Sequence, residues 1–152
     1  TVRIEATRAL VRLGRDEGAL LLRLRALQAD AEPEVIATVF SAIIELERRD
    51  GVHFVAQFLK AGGPTAEEAA LSLGESRTLE ALEILKEYVD NVRQGPLRRT
   101  VITAIALTRL TEGTDFLLQL IRRDAPGLQE AKQALLDYGV LSEADRATLL
   151  TR

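Results

Sequence analysis

Five stretches of this 152-residue chain repeat one spacing of apolar positions: i, i+4, i+7, i+8 and i+11. The first three read Val2, Ala6, Ala9, Leu10, Leu13; then Val35, Val39, Ala42, Ile43, Leu46; then Gly62, Ala66, Ala69, Ala70, Leu73. The fourth is taken as Arg99, Thr103, Ala106, Leu107, Leu110 and the fifth as Gly127, Ala131, Ala134, Leu135, Tyr138. Side chains so spaced form one stripe along an α-helix, and alanine at i+7 lets two helices approach closely there. The intervals of 33, 27, 37 and 28 residues fall in the range of stacked helical repeats.

The four prolines, Pro33, Pro64, Pro96 and Pro126, each precede the apolar end of one such stretch. Proline is tolerated in the first turn of a helix and poorly elsewhere, so each marks a helix start. Between the repeats run further helical patterns, among them Leu20-Leu21-Leu24-Leu27 and Phe54-Val55-Phe58-Leu59. The chain therefore predicts ten alternating helices. One set covers roughly 2–14, 33–48, 64–74, 96–110 and 126–138; the other covers 17–28, 51–61, 77–92, 113–123 and 142–151. Links of a few residues make successive helices antiparallel neighbours. The fold class expected is all-α: an α-solenoid of about five antiparallel helix pairs, forming one domain over residues 1–152. Because the chain opens at Thr1 inside the first repeat, it is expected to be part of a longer protein.

Composition agrees with this reading. Apolar residues make up 47 % but aromatics only 4 %, so Leu, Ala, Ile and Val supply the packing. A net charge of −3 gives no bulk attraction to nucleic acid or an anionic membrane. No apolar run is long enough to span a bilayer. The absence of cysteine removes disulfides and thiolate metal sites.

The run Val2-Arg3, Ala6, Ala9-Leu10, Leu13-Gly14 resembles the second helix of a HEAT repeat, of the short bacterial kind called phycobilisome-lyase-like. Pro33 to Leu46 and Pro64 to Gly74 are similar, the latter again ending in Leu-Gly. The fourth repeat departs most, with Arg99 and Thr103 in apolar columns. The resemblance implies a HEAT-like superhelix with the repeat-carrying helices lining its concave side. It also implies one possible activity, that of a bilin lyase or lyase subunit.

Candidate chemistry is sparse. His53, the only histidine, is read as a helix-start or partly buried residue with a local hydrogen bond. Glu67 and Glu68 point apart on their helix and do not form an acid–base pair. Glu80, Glu83 and Glu87 form a solvated face opposite Leu79, Leu82 and Leu85. Gly62-Gly63-Pro64 is a turn, lacking the Lys-Ser/Thr of a phosphate loop. No catalytic residue, cofactor or metal is expected.

The outward face of the repeat helices is more informative. Two columns run through it: Arg8, Ser41, Glu68, Ile105, Gln133, and Arg12, Glu45, Ser72, Arg109, Asp137. Mixed signs and missing aromatics argue against nucleic acid. The helix from Pro96 is apolar nearly all round, with Ile102 and Ile105 in outward columns; it is either buried or a contact patch rimmed by Arg8, Arg12 and Arg109. The uncovered flank of the first helix, near Val2, Ile4 and Val11, is expected to pack on upstream residues, and self-association there to be a product of the isolated chain. The function expected is a non-catalytic scaffold binding a protein or peptide through this face. The alternatives are the bilin lyase and a structural spacer, and the spacer requires the apolar helix to be wholly buried.

Overall fold

The computed structural model describes residues 2–13, 15–28 and 32–151, and among these it is all-helical, with no strand. The helices are α1 (Val2–Leu13), α2 (Arg15–Leu27), α3 (Pro33–Glu47), α4 (Arg49–Ala61), α5 (Ala66–Glu75), α6 (Leu79–Asn91), α7 (Pro96–Leu107), α8 (Thr111–Arg122), α9 (Leu128–Tyr138) and α10 (Glu143–Thr151). The predicted boundaries lie within a few residues of these. Gly14, read as the end of the first repeat, falls outside the described residues. Pro33 and Pro96 open their helices, whereas Pro64 and Pro126 sit in turns two residues before α5 and α9. Gly62 and Gly63, both at positive φ, build the first of those turns, as read from the sequence.

Each helix from α1 to α8 packs on its successor, and each odd-numbered helix packs on the next odd one. Among the even-numbered helices, α4 and α6 also pack together, less extensively than any odd pair. No pairing of that extent joins described helices more than two places apart. The odd helices from α1 to α9 thus form a continuous row. Their buried stripes, with Val39, Ile43, Ala69, Leu73, Ala131 and Leu135 among them, join one apolar core that reaches Leu149 of α10.

Glycines near the starts of three even helices reveal the repeat register. A Cβ on Gly18 would overlap the Leu10 carbonyl oxygen; one on Gly51 would stand 2.6 Å from that of Ile43, and one on Gly113 3.1 Å from that of Ile105. In each case the neighbour lies eight residues back. Leu10 and Ile43 both occupy i+8 of their stretches, so Ile105 does too. The fourth stretch is therefore Leu97, Val101, Ala104, Ile105, Thr108, two residues earlier than the sequence suggested. Val101, Ala104 and Ile105 are fully buried, Thr108 is nearly so, and Arg99 is exposed. Two alanine–aliphatic pairs, Ala104-Ile105 and Ala106-Leu107, lie two residues apart, and pattern matching alone could not separate them. Thr108 replaces an apolar residue at no loss of polar satisfaction, since its hydroxyl donates to Ile105 O at 2.7 Å.

Candidate interaction surface

Shifting the fourth register reorders the outward columns. They become Arg8, Ser41, Glu68, Thr103, Gln133, and Arg12, Glu45, Ser72, Leu107, Asp137. The first column is now polar throughout, and every member is exposed or half-buried. Ile102 and Ile105, placed by the sequence in outward columns and left open between burial and a contact patch, are fully buried, which is the first of those two readings. Neither can touch a partner, because the corrected register turns both into the core. Arg109 is exposed but follows the end of α7 at φ 54, so it is no part of the helical column. Arg48 after α3 and Arg77 after α5 share this conformation. An arginine there sits at the negative end of the helix dipole, which favours its charge. Arg8 and Arg12 are exposed on α1, where Arg8 pairs with Glu5 at 2.5 Å. The five residues expected to make one patch therefore do not come together.

The face instead carries two concavities at successive junctions of the odd helices. The first, about 530 Å³, lies where the α3–α4 and α5–α6 turns meet. Ser41, Glu45 and Ser72 from the two columns line it with Arg48, Arg49 and Glu75, over an apolar floor of Ile44 and Val52. Ser72 is buried, and its hydroxyl has no hydrogen-bond partner. Glu45, Glu75, Arg48 and Arg49 form no ion pair among the described residues. Buried polar groups are ordinarily bonded, so this cavity holds unused hydrogen-bonding capacity.

A second concavity of about 500 Å³ spans α5, α7 and α9. Glu67, Glu130 and Asp137 face a single cation there, Arg99, whose guanidinium lies 3.9 Å from Glu130. Gln133 donates from Nε2 to both Asp137 oxygens, at 2.9 and 3.0 Å. Thr103 lines the same concavity, as the corrected column requires. Three carboxylates against one guanidinium make this stretch favourable for a cationic segment.

Beside this groove, Arg98 holds the loops that frame it. Its side chain is nearly buried, donating Nε to Val92 O at 2.6 Å and Nη1 to Pro126 O. Burial lowers the Arg98 pKa from its ordinary value, against the opposing charges of Glu130 and Asp90. Nothing in the repeat pattern singled this residue out, since arginine beside an apolar stripe ordinarily reaches solvent.

Elsewhere, His53 is exposed on α4 rather than partly buried, in a shallow groove with Glu80, Glu83 and Glu87 of α6. Those three carboxylates are exposed as read, and Glu83 pairs with Lys86 at 2.9 Å; Leu79, read as core, is more than half exposed. Among the described residues no three His, Cys, Asp or Glu side chains are placed to share a metal. No described helix is long and apolar enough to cross a membrane. Comparison with protein families, curated proteins and solved structures finds no match to this chain.

Proposed function

We propose that this protein is a non-catalytic interaction module, a HEAT-like α-solenoid that binds a protein or peptide along its row of odd-numbered helices. The observation that carries this reading is the pair of concavities on one face, each lined by residues of the same outward columns. A row of helices without a deep pocket suits an extended partner better than a small substrate. The carboxylates around Arg99 favour a partner segment rich in Lys or Arg.

Affinity capture from the source organism, comparing the protein with a Glu45→Arg, Gln133→Arg variant, tests this. Both positions are exposed, so circular dichroism should show an unchanged fold. A captured protein that also binds directly when purified, and is lost by the folded variant, is the expected result. Empty or identical captures from the two would overturn the reading. A structural spacer is the second reading, supported by the complete burial of Ile102 and Ile105 in α7; identical captures would favour it.

A further inference from the structure

Beside the acidic groove lies a concavity of the opposite sign. It encloses about 260 Å³ between the α6–α7 and α8–α9 turns, and Arg93, Arg98 and Arg99 line it against a single carboxylate, Glu130. Arg99 and Glu130 line both sites, so the face changes sign at their contact, 3.9 Å across. Arg93 is exposed and forms no ion pair among the described residues.

Arg98 is the unusual member. It is only 6 % exposed, yet no described carboxylate lies within ion-pairing distance, and Glu130 and Asp90 meet its charge from further off. The Val92 and Pro126 carbonyls use Nε and Nη1, which leaves Nη2 without a partner among the described residues. A guanidinium taken out of water without a counter-ion is costly, and an anion in the concavity would offset that cost. Two helices also open here. Their N-caps, Gly95 of α7 and Gly127 of α9, carry no side chain to cover the first-turn amides, and the positive helix ends add to the arginines. A Cβ at Gly127 would overlap Arg98 Nη1, so glycine there is what lets the guanidinium lie across the start of α9.

We infer that this concavity binds a phosphoryl group, carried on the partner segment whose basic residues lie in the neighbouring acidic groove. The inference rests on the interaction reading proposed above and adds to it the chemistry of one partner residue. A carboxylate brings one charge and two acceptor oxygens. A phosphoryl monoester brings about −1.5 to −2 and three oxygens. The second set suits three guanidiniums and two helix starts better. The partner then reverses sign as the surface does, with Lys or Arg on the α5 side of Arg99 and the phosphorylated residue beside the turns.

Inorganic phosphate is the first probe, titrated at constant ionic strength while amide shifts are followed by NMR in the unaltered chain and in an Arg93→Ala, Arg99→Ala variant. Both arginines are exposed, so the variant should keep its fold, and matching shifts away from the site check this. A saturable shift of the Leu97, Arg98 and Gln129 amides is expected, with affinity reduced about tenfold or more in the variant. A shift that does not saturate, or that is equal in the two proteins, overturns the proposal. The second probe is a Lys/Arg-rich peptide carrying phosphoserine, compared with its serine and glutamate forms. The phosphoserine form should bind about tenfold tighter than either and lose that advantage in the variant. Equal binding of the three peptides, lost on Glu67→Lys, Asp137→Lys, overturns the phosphoryl site and leaves the interaction reading standing. Saturable phosphate binding with no affinity for any peptide overturns the peptide carrier, assigns the site to a free phosphorylated molecule, and counts against the interaction reading itself.

Discussion

Gly74 of α5 lies directly against the backbone of Ala104 in α7. A Cβ added to Gly74 would stand 2.9 Å from the Ala104 Cα and closer still to its carbonyl oxygen. They meet within the most extensive pairing among the described helices, and a side chain at Gly74 could be added only by moving the α7 backbone away. Gly74→Ala is therefore expected to destabilise by about 1–3 kcal/mol, the range for overpacking a close contact. A urea titration with circular dichroism measures it. An unchanged midpoint would mean that the α5–α7 crossing has slack.

Arg98 makes the opposite kind of contact, reaching rather than filling. Replacing it with Met keeps much of the buried stem but leaves the Val92 and Pro126 carbonyls without their donor. The loss should be about 2–4 kcal/mol. Arg98→Lys should recover only part of it, because an ammonium does not span both loops as a guanidinium does. Both values come from the same denaturation series.

Much of the fold was legible in the sequence because stripe spacing and proline placement are independent signals of the same helices. What was not legible was register within α7. Alanine pairs at Ala104-Ile105 and Ala106-Leu107 satisfy the same template, and only the contact of Gly113 with Ile105 separates them. That two-residue offset put Ile102 and Ile105 in outward columns, and with their burial the patch reading of this helix loses its centre while the burial reading stands. The two concavities depend on where neighbouring turns converge, which no single helix pattern records. Leu20, Leu21, Leu22, Leu24 and Leu27 are more than one buried stripe can hold, and of these only Leu22 is buried.

Burial in α7 predicts a sharp contrast between neighbours in the two column assignments. Ile105→Ala should cost about 2–5 kcal/mol, as for other fully buried aliphatic truncations. Gln133→Ala, on the exposed column, should stay within about 0.5 kcal/mol of the parent. Comparable effects at both sites, read from thermal melts, would contradict the corrected register.

Arg109 offers a stabilising change. It closes α7 at φ 54, a conformation glycine enters freely and a side chain with a Cβ does not. Arg109→Gly should raise stability by about 1 kcal/mol, set by the relief of that backbone. Chemical denaturation checks the direction, and a loss would show that the guanidinium matters more to the helix end than the backbone does.

The packing pattern also governs how the molecule yields. The substantial pairings join described helices no more than two places apart, so none of that extent clasps α1 to α9 or α10. Tension applied along the row would pass through every interface in series, and the weakest junction would set the force at which the protein begins to lengthen.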